Sequence, residues 1–416
     1  MLGLSIARRV PGTLPGIKAE ARSVRIIFIH AESLFPLSGS NLRGHAILEA
    51  LVAAGHEVDL VAPATDERLG PGISLFPTPL IDRFSKRKML QHLRFAYRAM
   101  ALESSLRPAY DAIYAHRIGS APLARRLARR PALKEGVGAG SPRTPMIADL
   151  WEVDLLEIYP FENPLLRAAA AVTGAWYQKH FLREASRVIV LTEAMRKYLQ
   201  SRYGVESAVS YDAADATRFR IGEVGFPPTD AATPFRIVFH GGIDRRDGVL
   251  EFLEAFGHIA SRIPAEFHLM GTGRALPEIE RLVAKEWWGK QVRIRGWVPY
   301  GEIASAIQNA DLAVIPSLDT PMNRMVIPRK TFEYMSLGVP IVATALPAMR
   351  ELLTEDMATL VPAGSTVRLA DEVVRLAGDP GLRSRQRAAL LRRAESLTLQ
   401  NEVAKIVRIV ERVAIS

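Results

Sequence analysis

Residues 24–62 read VRIIFIHAESLFPLSGSNLRGHAILEALVAAGHEVDLVA. Val24 to His30 is a continuous apolar run of strand length, the mark of a strand buried on both faces. A loop with Ser38-Gly39-Ser40 follows. Leu42, Ile47, Leu48, Leu51 and Val52 then recur at helical spacing, Gly55 stops the helix, and His56 to Val61 resumes as strand. Strand, helix and strand in this order open a parallel sheet.

Working outward, the same alternation continues. Tyr110–Ala115, Met146–Leu150 and Arg187–Thr192 read as strands, a Gly/Pro-rich loop (EGVGAGSPRTP) precedes the second of them, and a helix is expected over Glu193–Tyr203. A second series begins at Phe235. Strands are expected at Arg236–His240, Glu266–Met270, Val292–Gly296, Leu312–Pro316 and Pro340–Thr344, with helices at Val249–Ile263, Ala275–Glu286, Tyr300–Asn309 and Arg329–Leu337. The composition shift in GEVGFPPTDAATP, Gly222 to Pro234, marks an interdomain linker. The fold class is therefore α/β, with two Rossmann-like doubly wound domains facing each other over residues 24–222 and 235–395. Residues 223–234 link them, and a C-terminal helix over 396–416 is expected to pack back on the first domain. In such sheets ligands bind beyond the carboxyl ends of the strands.

Composition narrows the function classes. The 416 residues are 48% apolar and 24% charged, which suits a soluble chain with real cores. No apolar run approaches the roughly 20 residues that cross a bilayer. The first 23 residues are basic but lack the continuous apolar stretch of a signal peptide, and are read as a loosely ordered leader. There is no cysteine, which excludes disulfides, thiol catalysis and cysteine-ligated zinc and fits a cytoplasmic protein. The net charge of +10 is uneven: between Leu80 and Glu135 thirteen Lys/Arg face four acids, +9 in one stretch. Within it, Met89, Leu90, Leu93, Tyr97 and Met100 share a helical stripe read as core. Arg87, Gln91, Arg94 and Arg98 share another face. The stretch Lys86–Lys134 is expected to dock on an anionic membrane surface. Nucleic acid is not expected, since no aromatic stacking platform accompanies the charge.

Candidate ligand residues concentrate in the second domain. Gly241 and Gly242 follow a strand and let the backbone approach a ligand, and the helix after Gly248 offers free N–H groups to a phosphate. Arg245 and Arg246 are candidate charge partners. Gly271 and Gly273 repeat the device; a plain tight turn explains each equally well. Pro328 is suited to start a helix, which puts Arg329, Lys330 and Glu333 on its first turns, the last two on one face. An ammonium there suits an anionic phosphate, and a carboxylate suits two vicinal hydroxyls. An ion pair between Lys330 and Glu333 is the competing reading. Gly338 and Pro340 end the helix and return the chain to the sheet.

PRKTFEYMSLGVPIVAT, Pro328 to Thr344, resembles the nucleotide-sugar segment of the retaining two-domain GT-B glycosyltransferases of family 4, also described as glycosyl transferases group 1. VFHGGIDRRDGVLEFLEAF, HLMGTG and VRIRGWVPYGEIASAIQNADLAVIPS precede it in the family's order, and GHEVDLV and ASRVIVLTEAMRKYL are similar too. The resemblance covers residues 24 to 395. It implies a GT-B fold and transfer of a sugar from a nucleotide-diphosphate sugar to a saccharide or lipid-linked hydroxyl, with retention, in surface polysaccharide or glycolipid synthesis. The nucleotide sugar is a co-substrate, and no other cofactor is implied. From the missing cysteines and the basic stretch, the expected place of work is cytoplasmic, peripheral on the inner face of the membrane. Glu333 matches the glutamate on the donor ribose, Gly241 and Gly242 the diphosphate turn, and Trp297 and Val298 the stretch lining the base. Asp149, in a DLW variant of the first domain's histidine-aspartate pair, is the candidate near the donor sugar; Asp149, Glu333 and Lys330 form the expected catalytic set.

Three departures stand out, the DLW variant Asp149-Leu150-Trp151-Glu152 being one. Many members carry two glutamates separated by seven residues, and eight positions before Glu333 this chain has Met325. The usual diphosphate arginine and lysine fall at Gly242 and Asp247, so their role must pass to Arg245, Arg246, Arg329 or Lys330. No Asp-x-Asp pair follows a strand in a position to hold a metal, so metal-independent transfer is expected. The alternative is a non-catalytic nucleotide-sugar-binding or scaffold protein on the same fold. An epimerase would need acid and base groups that do not assemble in this sequence.

Overall fold

The computed structural model describes residues 22–32, 34, 41–65, 69–79, 88–130, 143–151, 164–220 and 233–415. Most of the basic leader, the Ser38-Gly39-Ser40 loop, Lys86, Arg87, Lys134, Glu152 and nearly all of the expected linker lie outside the described residues.

Seven parallel strands form the first sheet among the described residues: β1 Arg25–His30, β2 Glu57–Pro63, β3 Ile73–Thr78, β4 Ala112–His116, β5 Met146–Leu150, β6 Arg187–Val190 and β7 Ala208–Val209. Their order is β3-β2-β1-β4-β5-β6-β7. With them go α1 Leu42–Ala53, α2 Lys88–Ala101, α3 Ala121–Ala128, α4 Pro164–Glu184 and α5 Glu193–Tyr203. The second sheet holds β8 Phe235–Gly242, β9 Ala265–Thr272, β10 Val292–Gly296, β11 Leu312–Ile315, β12 Ile341–Thr344 and β13 Ala358–Val361, ordered β10-β9-β8-β11-β12-β13. Its helices are α6 Val249–Ala260, α7 Leu276–Lys285, α8 Tyr300–Ile307, α9 Arg329–Ser336, α10 Pro347–Leu352, α11 Thr366–Gly378 and α12 Pro380–Ser396. The last helix is α13, Leu399–Ile415.

Period-two alternation decides which helices cover which face. From β1, Ile27 and Ile29 pack with Phe95 of α2, Leu127 of α3, Phe181 of α4 and Leu199 of α5. Ile26 and Phe28 belong to the opposite cluster, with Leu48 and Leu51 of α1 and Ile406 and Val410 of α13. The final helix thus lies against α1 of the first domain, although α12 before it packs on α9 of the second. His56 beside Glu411 at 3.4 Å adds a polar contact to that junction.

Each sheet reverses its winding at its own first strand: β1 sits between β2 and β4, and β8 between β9 and β11. Such reversals leave a crevice beyond the carboxyl ends. The residues at those ends are His30 and His116 in one sheet and His240, Gly241 and Gly242 in the other.

Candidate active site

Pro328 caps α9, and Arg329 is its first helical residue. The cap aims the first turn at the end of β8, and Lys330 and Glu333 are both buried there. The Glu333 carboxylate accepts from His240 Nε2 at 2.6 Å on one oxygen and from the Tyr300 hydroxyl at 3.0 Å on the other. The Tyr334 hydroxyl accepts the His240 backbone N–H and lies 2.9 Å from His240 Nδ1. With its own oxygen engaged by the backbone, Tyr334 donates to Nδ1, which leaves Nε2 protonated and facing Glu333. Burial alone pushes the Glu333 carboxyl up, but the His240 hydrogen bond, the Arg329 charge and the Tyr300 hydroxyl outweigh it and hold the group below the usual glutamate range. A carboxylate has about four acceptor positions. Two are taken, so two remain for hydroxyls of a ligand.

Lys330 does not pair with Glu333. Its ammonium lies 3.7 Å from Asp247 Oδ1 and 3.7 Å above the Phe239 ring, and burial pulls its pKa down against the pull of Asp247 and Glu333. Gly241, at φ +114°, would bring a Cβ within 3.2 Å of Lys330 Cε, so a side chain there is strained and also crowds the lysine. Asp247 in turn closes the turn through the Asp244 backbone N–H at 2.9 Å. The position where the family resemblance places a lysine therefore carries a carboxylate, and a lysine from the facing helix supplies the cation. Gly241 and Gly242 are exposed, which leaves their backbone open to a ligand. Gly271 is fixed for a different reason: a Cβ there would lie 1.9 Å from the Gly241 carbonyl oxygen.

The other candidate cations point elsewhere. Arg245 is exposed and pairs with Glu251 at 3.3 Å and Glu278 at 3.7 Å, and Arg246 donates to the Met322 thioether. The Arg329 side chain is 8% exposed, and its guanidinium holds the Asp212 carboxylate and, at 2.8 Å, the Ala213 carbonyl of the first domain. It serves as a clamp between domains. Met325, in the place of the first family glutamate, accepts at its carbonyl from Thr192 of the first domain. Trp297 is 67% exposed beside the end of β10, whereas Val298 is buried in the core and does not present its side chain to a base.

In the first domain, Asp149 is a buried anchor. It accepts from the Tyr114 hydroxyl at 2.7 Å and from Arg43 Nε and Nη2, each at 3.4 Å, while Arg43 Nη1 donates to the Tyr211 carbonyl at 2.8 Å. Asp149 and Arg43 are both fully shielded from solvent. Beside them His116 lies with its Nε2 3.7 Å from Asp149 and its Nδ1 2.6 Å from His30 Nδ1. A nitrogen pair that close needs one proton between the two rings, so both imidazoles are neutral or one charge is shared. Burial, and then the other charges of the cluster, drive both pKa values well below that of free histidine. Trp151 bridges to the second domain. Its ring stands edge-on to His116 at 6.0 Å and lies under Arg117 at 4.5 Å and Arg329 at 5.9 Å. Sequence reading passed over Arg43, His30, His116, His240 and Tyr300. The signal available was position: three of them are the histidines that end β1, β4 and β8 or precede its glycine turn.

Three first-domain histidines, His30, His45 and His116, set an acid limit on the fold. In the unfolded chain each takes up a proton near its ordinary 6.5, whereas in the folded chain His45 does so only at about 4 and His30 and His116 only well below 6.5. Between those values the unfolded state binds more protons, so stability falls as pH drops through that window. Urea midpoints are expected to decline from pH 6.5 toward 4; replacing His45 with Gln removes part of the decline. A midpoint flat over that window contradicts the neutral, buried state of the pair.

Comparison with known proteins agrees with this geometry. Residues 38–209 match the family model described as glycosyl transferase 4-like domain, and residues 234–379 the model described as glycosyl transferases group 1. The chain is 28% identical over 253 residues to the alpha-D-kanosaminyltransferase of Streptomyces kanamyceticus, covering 58% of this chain and 63% of that protein. It spans less than two thirds of each of the curated relatives it matches. Among solved structures, a sucrose-phosphate synthase from Thermosynechococcus elongatus superposes with a TM-score of 0.75 at 19% identity, covering 95% of this chain and 100% of that one. Anabaena HepE, solved with UDP-glucose, superposes with a TM-score of 0.65 at 15% identity over 93% and 100% of the chains. At such identities the shared property is the two-domain GT-B fold.

Proposed function

Because the chain belongs to the group 1 glycosyl transferases, with a glycosyl transferase 4-like domain as its first half, we propose that it moves a sugar from a nucleotide-diphosphate donor to a hydroxyl acceptor. The observation that carries this reading is the end of β8. There an open glycine turn, a buried ammonium and a carboxylate with two free acceptor positions meet within one helical turn of α9. The ammonium of Lys330 sits where a diphosphate's charge develops as the sugar–phosphate bond breaks, and a preorganised cation lowers that barrier. Glu333 takes the ribose hydroxyls. Its orientation is set by His240 and Tyr300, so little is lost in ordering it on binding.

Trp151, which reaches Arg329 of the second domain, and the buried His116 behind it are assigned to the transferred sugar. Asp149 acts through them, as a positioning residue, in place of the direct contact expected from sequence. The reaction is read as retaining, with a departing phosphate oxygen accepting the acceptor's proton, and as independent of metal. A saccharide or a lipid-linked sugar is the acceptor, and the second of these places the first domain at an anionic membrane surface on the cytoplasmic side. A relative's UDP-glucose complex supports a uridine donor for trial first. The test is release of nucleoside diphosphate from UDP- and GDP-sugars with an acceptor panel, with and without EDTA, and the product's anomeric configuration by NMR. Turnover unaffected by EDTA with the donor's configuration kept is expected. Donor binding without turnover on any acceptor favours the non-catalytic reading.

A further inference from the structure

Among the described residues, six cations of the first domain's basic stretch are paired within the fold. Arg107 pairs with Glu57 and Asp59, Arg117 with Glu32, Arg126 and Arg130 with Glu103, and Arg125 and Arg129 with Glu184. These pairs lie between Arg107 and Arg130; Arg94 and Arg98, earlier in the stretch, are exposed.

Helices α2, α3 and α4 lie side by side, with α3 in contact with both of the others, and their inner residues share one core on the sheet. Their outer faces point away from the protein. On those faces Tyr97 of α2 and Leu165, Val172 and Trp176 of α4 are 70%, 81%, 72% and 59% exposed, half of the large apolar side chains exposed among the described residues. Leu165, Val172 and Trp176 are spaced by seven and four, so they form one stripe along α4. The charge on the same layer is one-sided: the three helices hold eight Lys/Arg (Lys88, Arg94, Arg98, Arg125, Arg126, Arg167, Lys179 and Arg183) and one acid, Glu184, which Arg125 already binds at 2.7 Å. Arg94, Arg98 and Arg183 are exposed. Among the described residues no helix is long and apolar enough to cross a membrane.

Exposed apolar residues alone name no partner, but a tryptophan stripe flanked by cations with no carboxylate partner among the described residues does. Indole rings favour the headgroup level of a bilayer, and lysine or arginine beside them finds lipid phosphate. We propose that the outer face of α2 and α4 docks on an anionic lipid bilayer, with Leu165, Val172 and Trp176 entering the headgroup region and Arg94, Arg98, Lys179 and Arg183 on the phosphates. This deepens the membrane placement given above and needs no part of the transfer reaction. Trp176, its ring tilted against His180 with centroids 4.1 Å apart, is the central anchor.

The experiment is flotation of the full chain with vesicles of phosphatidylcholine alone and of phosphatidylcholine with phosphatidylglycerol, without nucleotide or acceptor. Binding to the phosphatidylglycerol vesicles is expected, with little to the neutral ones. Arg94→Gln and Arg98→Gln each weaken it roughly fivefold, in line with the surface charge effect, and added salt weakens it further. Trp176→Ser with Leu165→Ser weakens binding at least tenfold while the melting temperature stays within a degree or two of the parent. Equal binding to both vesicle types overturns the proposal, as does binding unchanged in Trp176→Ser/Leu165→Ser. A concentration-dependent dimer lost in that variant overturns it too, by giving the stripe to a second copy. A parent that binds neither vesicle type while nucleotide binding is intact rejects this surface and leaves the transfer reading standing.

Discussion

Glu333→Ala is expected to lower kcat/KM for the nucleotide-sugar donor by roughly 100-fold or more, most of it in KM. Hydrogen bonds to a charged group contribute about 1.5–3 kcal/mol each, and a ribose presents two hydroxyls to the two free acceptor positions of this carboxylate. A contact made equally in the ground and transition states changes KM and leaves kcat nearly unmoved. The substitution also strands the His240 Nε2–H and the Tyr300 hydroxyl, which now donate to Glu333 at 2.6 and 3.0 Å. Each loses its acceptor while buried, so a stability loss of about 1–3 kcal/mol accompanies the kinetic one. Glu333→Gln separates the two effects. It keeps the shape and one acceptor oxygen, so most of the stability should return while donor affinity stays weakened. If the carboxylate is only an intramolecular partner of His240, Gln restores both stability and KM.

Asp149→Ala is expected to destabilise the first domain by about 3–5 kcal/mol, the usual result of removing one partner of a buried ion pair. The Arg43 guanidinium is fully shielded from solvent, and Asp149 is its carboxylate partner there. Truncation leaves that charge buried with the Tyr211 carbonyl at 2.8 Å and takes the acceptor from the Tyr114 hydroxyl. Pairing Asp149→Leu with Arg43→Met should recover much of the loss, because the burial of the charge goes with the charge. Urea unfolding followed in the first domain measures this. A fully stable Asp149→Ala protein without activity would instead return Asp149 to the reacting sugar.

Much of the architecture was legible because two periodicities carry it. The strands ending at His30, His116 and His240 are apolar runs bounded by glycine or polar residues, and α1, α5 and α9 show their spacing openly. Other elements hide. The α4 helix contains an alanine run that favours helix by propensity but has no polar face to give it a period. Its Leu165, Val172 and Trp176 face solvent, contrary to what a core-seeking pattern assumes. Strand β3 carries Pro77 and lies at the sheet edge, where proline is tolerated and alternation weakens. Helix α3 was read only for its arginines.

The site divides along the same line. Lys330 and Glu333 share a helical face, so spacing alone brought them forward. The partners that define their roles come from distant segments: Asp247 and His240 lie more than eighty residues upstream, and only the parallel ladder brings β8 beside α9. Arg329 looked like a third phosphate cation because a sequence does not reveal that the chain after β7 passes beneath it with Asp212. Charge count misled in the same way over the basic stretch, where the opposing carboxylates are Glu57, Asp59, Glu103 and Glu184 from other elements.

Titration calorimetry of UDP and GDP into the intact protein and its Lys330→Ala and Glu333→Ala variants addresses the nucleotide site directly. At least one nucleoside diphosphate should bind the parent, and each variant should bind it at least tenfold more weakly. A folded parent that gives no binding heat with either diphosphate, or affinities unchanged in both variants, would contradict a donor site at the end of β8.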